Sequence, residues 1–447
     1  MATEQKDDFL TDLVLRQITI KNYRGSETPL VIDLERDANF LVGRNGTGKT
    51  SLINLIYWIL AGRHAPLFAV NFSSAEIVFS HPDRRYSPTL FVERHVDSDD
   101  DPVSVTYRFK DAKSKPDAFN YSFPSKYYRR PNDPINVNLR KLRAELQKRF
   151  QVTWLALNRS VPSSNALAPD GSKIGTSEVD TKIQDTIQRL STYVTKLGAD
   201  FSDEVESFQK QLLLSFLVEE KDKGDVQLLG HLDLEEEKVQ LTSMLRELKL
   251  LPEEYIPKVD RHISAAKTLT TGSLKAQPFT NIIKMYDIWK LHGWVDKWRM
   301  LQSRRNMIFH YKDLFLKKLN EMLYRKVAFF DSGNILRVKA LRKGISVPAP
   351  DELIYNEGDA DNIDVTALSS GEKQLIILLA ETLLRERRPY IYIADEPELS
   401  LHIEWQEKLV PLILEISPQA QIFFATHSPD IVNRYGENVF SMEELVY

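Results

Sequence analysis

The stretch VGRNGTGKTSLINL, residues 42–55, decides the fold. Ahead of it, NFLV (39–42) is a short apolar run of strand character, and behind it SLINLIYWILAG (51–62) carries apolar residues at helical spacing. Between them GRNGTGKT (43–50) fits G-x-x-x-x-G-K-[ST], so strand, loop and helix follow in the order a P-loop requires. Gly43, Gly46 and Gly48 let the backbone turn its N–H groups inward around a β-phosphate, and the helix that follows points its positive end at the same charge. Lys49 is placed to reach the β- and γ-phosphates and the Thr50 hydroxyl to complete a Mg2+ shell, with Arg44, Asn45, Thr47 and Ser51 filling out the nucleotide-binding stretch. The alternative is a glycine loop that only turns the chain. With Gly near 7% of residues, the four fixed positions arise by chance in about one or two chains per hundred of this length, so ATP with Mg2+ is the expected ligand pair.

Composition narrows what surrounds that loop. At 447 residues, 42% hydrophobic and 27% charged, the chain is globular and long enough for two or three structural units. Fifty-nine basic against sixty-three acidic residues give a net charge of −4, so no global field draws it to nucleic acid or anionic membrane, and any such contact must be local. No apolar run approaches the roughly 20 residues that cross a bilayer, and MATEQKDDFLTD (1–12) is acidic where a signal peptide is basic and then apolar, which predicts a cytoplasmic protein. The absence of cysteine excludes disulfides, thiolate chemistry and cysteine-ligated zinc, and the nine His residues include no H-E-x-x-H pair.

Three C-terminal stretches supply what a P-loop needs. RPYIYIADEPELSLH (388–402) is a β-branched and aromatic run that ends in Asp395-Glu396, two carboxylates at the tip of a buried strand. Asp395 can hold Mg2+ through water while Glu396 orients and deprotonates the water that attacks the γ-phosphate; a helix cap with a first-turn acid would serve the same letters. QIFFATHSPDIV (421–432) is a second strand whose polar tip places His427 where a γ-phosphate can be sensed. ALSSGEKQLIILLAETLL (367–384) opens a long apolar helix with Ser369, Ser370 and Gly371, a second anion-binding end. One nucleotide has no use for two such ends unless the second caps the nucleotide of a partner subunit.

GRNGTGKT, LSSGEKQ, IYIADEPELSLH and FFATHSPD, in that order, resemble the ABC-type ATPase heads of the SMC and RecF superfamily, and within it the OLD-like ATPases of bacterial anti-phage defence systems such as PARIS and Septu. The resemblance covers about 1–165 and 320–447. It implies an α/β fold, a P-loop ABC-type head with a mixed sheet and an antiparallel β-subdomain, interrupted by a helical, short coiled-coil-like insert. The expected divisions are 1–165 for the N-terminal half of the head, 166–327 for the insert and 328–447 for the C-terminal half. It further implies two heads that sandwich two ATP molecules, Ser369 and Gly371 of one touching the γ-phosphate held by Lys49 of the other. Glu396 is then the catalytic base, His427 the switch, LSLH (399–402) the loop between the sites, and Arg24 in IKNYRGS (20–26) a basic residue near the phosphates. The family's Q-loop glutamine has no clear equivalent; Gln147 and Gln151 are the candidates.

Elsewhere, AEIVF, TLFVERHV, VSVTYRF and FNYSF within 66–125 alternate with polar turns as an antiparallel β-subdomain should. RRPNDP (129–134) reads as a boundary loop, LRKLRAELQKRF (139–150) as a basic helix that is either a solvated face or a groove for DNA phosphates, TWLALNRSV (153–161) as a strand, and 162–177 as a linker. Apolar residues from Val179 to Phe216 recur every three or four positions, which predicts one helix of about 60 Å, either a stub or oligomer contact or a helix packed on its own head. A helical portion ends at 304–327, and KVAFF, ILRVKAL and GISVPAP are strand-like. Only 433–447 follow the His427 strand, where OLD-type nucleases carry a metal-binding nuclease domain. The expected function is therefore an oligomeric ATPase of a defence complex that controls a separate effector, a nuclease. The alternative is a RecF- or SMC-like DNA-binding ATPase of repair or recombination; a transporter motor fits poorly.

Overall fold

A computed structural model describes residues 13–81, 87–96, 104–112, 116–125, 133–155, 178–215, 233–247, 250–271, 278–342, 353–385 and 389–446. The chain forms two compact units, one from the residues up to Ser191 and from Leu314 onward, the other from Thr192–Asp313. The first unit opens with β1 (Val14–Lys21), β2 (Leu30–Asp33), β3 (Ala38–Val42), α1 (Lys49–Leu60), α2 (His64–Leu67), β4 (Ser74–Ser80), β5 (Thr89–His95), β6 (Ser104–Lys110), β7 (Phe119–Pro124), α3 (Pro134–Arg149) and β8 (Gln151–Leu155). Four helices follow: α4 (Glu178–Leu214), α5 (Leu234–Glu247), α6 (Pro252–Thr271) and α7 (Pro278–Met322). The chain then continues through β9 (Lys326–Phe330), β10 (Leu336–Ala340), β11 (Asn362–Ile363), α8 (Ser370–Leu383), β12 (Tyr390–Asp395), α9 (Ile403–Ile416), β13 (Ala420–Ala425), α10 (Pro429–Val432), β14 (Val439–Ser441) and α11 (Met442–Val446).

The expected α/β head with its antiparallel β-subdomain is built from separate sheets. One is wholly parallel, in the order β14-β3-β13-β12-β8, and its central strands are buried on both faces, which is why ANFLV, YIYIAD and AQIFFA read as continuous apolar runs. The other is antiparallel, in the order β2-β1-β4-β5-β6-β7, and β4 and β6 alternate buried with half-buried residues because one face alone meets the core. The N-terminal strands β1 and β2 thus belong to the β-subdomain together with the runs of 66–125. A third, small sheet joins β11, β10 and β9.

One core unites the two larger sheets around α1: Leu52, Ile53 and Ile56 cluster with Ile391 and Phe423 of the parallel sheet and with Ile18 and Ile77 of the antiparallel one. Buried Gln421 of β13 stitches the sheets by polar contacts as well. Its side-chain oxygen accepts from the Leu15 amide at 2.7 Å, and its nitrogen donates to the Leu15 and Glu35 carbonyls at 2.7 and 2.8 Å. The first turns of α4 are tied to α8: Arg189 and Lys182 reach Glu381 at 2.6 and 3.1 Å, and Lys373 reaches Asp180 at 2.6 Å.

The second unit has its own core. Phe208 of α4 packs with Leu241 and Met244 of α5, Val259 and Ile263 of α6 and Trp298 of α7, so the apolar seam of α4 is covered there by helices of the same unit. Buried Glu237 meets His292 Nδ1 at 2.9 Å. The linker 162–177, residues 129–132 of the boundary loop, 156–161 of the TWLALNRSV strand, Phe216 and the GISVPAP strand lie outside the described residues.

Candidate functional site

The P-loop emerges from β3 and runs into α1. Gly48, at φ 102°, precedes the first helical residue and offers no side-chain cap, so the first amides of α1 are left to an anion. A Cβ at Gly48 would also lie 2.5 Å from the Arg24 guanidinium, a second reason for glycine there. Arg24, itself in the left-handed region at φ 55°, donates from Nη1 to the Thr47 carbonyl at 3.1 Å and from Nη2 to Ser51 Oγ at 3.3 Å. Buried Lys49 donates to the Gly43 and Arg44 carbonyls at 2.7 and 3.2 Å, which holds its ammonium inside the loop. Burial pulls the Lys49 pKa down, while Glu396, Asp395, Glu443 and Glu398 push it back up. Thr47 Oγ1 donates to the Arg44 carbonyl at 2.9 Å, and Asn45 is exposed on the rim.

The tips of β12 and β13 stand beside this loop because both strands are parallel to β3 and the register pairs Asp395 with Ala425. Burial raises the Asp395 pKa, a hydrogen bond from Thr50 lowers it, and the neighbouring Glu396 raises it again. Its Oδ1 is buried without a hydrogen-bond partner. A carboxylate oxygen left bare next to a hydroxyl suits a hard divalent cation that keeps most of its waters, so Thr50 and Asp395 fit Mg2+. The ion would neutralise charge between the β- and γ-phosphates.

Glu396 takes φ 50°, and its amide donates to the Ala425 carbonyl at 2.8 Å. That backbone costs on the order of 1–3 kcal/mol in a non-glycine residue and turns the carboxylate toward β13. There His427 Nε2 comes within 3.6 Å of Glu396 Oε1. The expected base and the expected γ-phosphate sensor are thus neighbours.

Glu398, which the sequence reading does not include, anchors the His427 turn. Its buried Oε1 accepts from Thr426 Oγ1 at 2.6 Å and from the His427 amide at 3.0 Å. Ser428 Oγ donates to Gln406 Oε1 at 2.7 Å, and Gln406 Nε2 donates to the Leu401 carbonyl at 2.9 Å, which links the His427 turn to the LSLH loop. Glu443, from α11, is the other addition: its Oε1 accepts from the Arg44 amide at 2.8 Å and braces the P-loop from outside. The third acid in DEPE was a visible signal for Glu398; nothing in the local sequence marks Glu443.

Ser369 caps α8 in a capping box: its Oγ accepts from the Glu372 amide at 3.4 Å, and Glu372 Oε2 accepts from the Ser369 amide at 3.0 Å. Burial pushes the Glu372 carboxyl up, but Lys326, 2.6 Å away, and Ser369 hold it below its ordinary value. Gly371 packs on the Ser400 carbonyl so closely that a Cβ would collide with it, and Gln374 Nε2 donates to the Pro397 carbonyl at 2.7 Å. The signature helix is therefore fastened to the Asp395–His402 segment of its own chain. Among the described residues no hydrogen bond or ion pair joins Ser369 or Gly371 to residues 43–51. Gln151 pairs with Tyr390, at the end of β12 remote from Asp395, and Gln147 lies on α3, so neither glutamine candidate joins the site.

Residues 14–432 match the AAA ATPase domain family. Among curated proteins, the chain is 44% identical over 48 residues to Septu protein PtuA of Bacillus thuringiensis, a match spanning 11% of this chain and 12% of that one. It is 25% identical over 144 residues to the Retron Ec83 probable ATPase of Escherichia coli, spanning 30% and 24% of the two chains. The matches therefore cover a quarter or less of either relative. Among solved structures, an Smc head domain with an extended coiled coil, bound to the C-terminal domain of ScpA and derived from Pyrococcus furiosus, is similar at a TM-score of 0.42 and 13% identity, over 96% of this chain and 93% of that one.

Proposed function

Since the chain belongs to the AAA ATPase domain family and is an ATPase, we propose that it works as a paired, ATP-hydrolysing head that controls a separate effector protein, a nuclease, in defence against phage. The observation that carries the catalytic half is the bare Asp395 oxygen next to Thr50, with Lys49 inside the loop and Glu396 and His427 at its mouth. In this reading the amides at the start of α1 and Lys49 bind the phosphates of ATP. Thr50 and Asp395 hold Mg2+, Glu396 takes the proton of the attacking water, and His427 reports the γ-phosphate.

Pairing is supported by the exposed Ser369 end of α8, which among the described residues makes no hydrogen bond to its own P-loop. In a pair it would cap the partner's γ-phosphate. The link of α8 to α4 through Glu381 and Asp180 would carry that event toward the helical insert. Similarity to proteins named for Septu and retron systems supports a place in defence. No helix among the described residues is long and apolar enough to cross a membrane.

The test is co-purification from the native host, mass spectrometry of what accompanies the chain, and a nuclease assay with Mg2+ or Mn2+. The reading expects ATP hydrolysis by the chain alone and nuclease activity only with the partner. Cleavage by the chain alone refutes it. So does the absence of a partner together with strong stimulation by duplex DNA, which would establish the RecF-like alternative.

A further inference from the structure

At the opposite end of the parallel sheet from the P-loop, the first unit holds a cleft of about 1190 Å³. Its walls are the C-terminal end of α1, α2, one face of α3, the start of β8 and Arg385 after α8. Arg63, Arg140, Arg143 and Arg385 all line it, and no described lining residue is acidic. In a chain of net charge −4 this is a local inversion of sign. Arg140, Arg143 and Gln147 recur at helical spacing and so share one face of α3.

Three of these four guanidiniums are not spent on carboxylates of the described residues, and the fourth makes one long contact. Arg143 donates from Nε to the Gly62 carbonyl at 3.3 Å, Arg63 lies over the Tyr57 ring at 5.1 Å, and among the described residues neither they nor Arg140 has an ion pair. Arg385 approaches Glu381 only at 3.8 Å, and its Nε is buried without a partner. Exposed arginines of an ordinary solvated face alternate with acids; these converge on a cavity with an apolar floor that includes Phe68, Leu146 and Phe150. Asn136, Gln147 and Gln151 add amide groups that both donate and accept.

We propose that this cleft binds a short single strand of nucleic acid, independently of the P-loop and of the effector reading above. Flat arginines and an aromatic floor beside a positive groove are what unstacked bases and their phosphates require. The volume exceeds the roughly 300–1,000 Å³ of an ordinary small-ligand site, so a mononucleotide leaves it underfilled. A duplex keeps its bases stacked inside a convex rod and would touch the rim alone. An acidic peptide would pair with the arginines but offers nothing planar to the floor.

The experiment uses the full chain without ATP and a fluorescein-labelled oligo-dT 12-mer, followed by anisotropy across a NaCl series. Three or four phosphates held by arginine give a slope of log K against log salt of about −2 to −3, at about 0.7 per contact. Arg63→Ala, Arg140→Ala and Arg143→Ala, all exposed positions, should each weaken binding roughly tenfold and flatten the slope by about 0.7, with nucleotide affinity at the P-loop unchanged. Phe68→Ala should weaken binding without altering the slope, and Lys49→Ala should leave it intact. The proposal is overturned if the oligonucleotide does not bind or binds without regard to these arginines. It is equally overturned if a duplex or poly-glutamate competes with the same affinity and arginine dependence.

Discussion

Glu396 and His427 stand 3.6 Å apart at the ends of neighbouring strands, and Lys49 reaches the same space from the loop. Their division of labour is separable by measurement. Glu396→Gln keeps shape and removes the base, so kcat should fall about 100- to 10,000-fold with ATP affinity retained, whereas Lys49→Ala should weaken binding itself. Equal loss of affinity in both, read by fluorescent-nucleotide titration, would contradict the role given to Glu396. Glu398 tests positioning: Glu398→Ala strips the acceptor from Thr426 Oγ1 and the His427 amide. Leaving such donors unsatisfied costs about 1–3 kcal/mol of stability, and kcat should fall with little change in nucleotide affinity. A variant that loses stability but keeps kcat would make Glu398 structural only. The residues of the four motifs were legible because each motif is a local run whose backbone does the work. Glu443 was not, since its contact with Arg44 joins the P-loop to α11, far away in sequence, and leaves no local pattern.

The helices α4 and α8 were legible from periodicity, and their coupling was not: an ion pair between Arg189 and Glu381 depends on which faces meet. Burial pushes the Glu381 carboxyl up, but Arg189 and Lys182 outweigh it and hold the pKa below the ordinary carboxylate value. A lowered folded pKa means stabilisation fully present above the unfolded value of about 4.3 and lost as pH falls through the lower folded one. Glu381→Gln should therefore lower the Tm at pH 7 and narrow that gap to wild type under acid, as thermal melts across pH 3–7 would record; a constant gap would deny the linkage. Pairing of heads belongs to α8 as well. Ser369→Arg should spare ATP binding and abolish hydrolysis, while mixing it with Lys49→Ala should restore part of the activity through one intact composite site. Because Ser369 also caps α8, about 1 kcal/mol of stability goes with it, so Glu372→Ala is the control that breaks the capping box without adding bulk. Absence of recovery in the mixture would place hydrolysis within single chains.

The two units have cores that share no residue, one around α1 and one around Phe208 and Trp298. Trp298→Ala should cost about 3–5 kcal/mol in the helical unit and leave nucleotide affinity unchanged, which calorimetry and nucleotide titration on the same sample would reveal. A matching loss of nucleotide affinity would contradict separate cores. Apolar periodicity and glycine-rich motifs announce themselves locally, so helices and loops could be read from the sequence. It could not say that β1 and β2 would complete the β-subdomain, nor that Gln421 would seal one sheet to the other, because strand partners are chosen by long-range pairing.

That pairing also sets a timetable. β3, which launches the P-loop, lies hydrogen-bonded between β13 and β14, with Ala38 opposite Ile422 and Phe40 opposite Val439. On the ribosome the phosphate loop is made well before its scaffold strand has neighbours, since these lie in β13 and β14, nearly 400 residues on. At about 5–20 residues per second this is a wait on the order of tens of seconds, during which the residues of α4 to α7 are synthesised. The apolar strand ANFLV spends that interval unpaired, so a nascent chain of this protein is exposed to chaperones, proteases and its own sisters before it can hold a nucleotide.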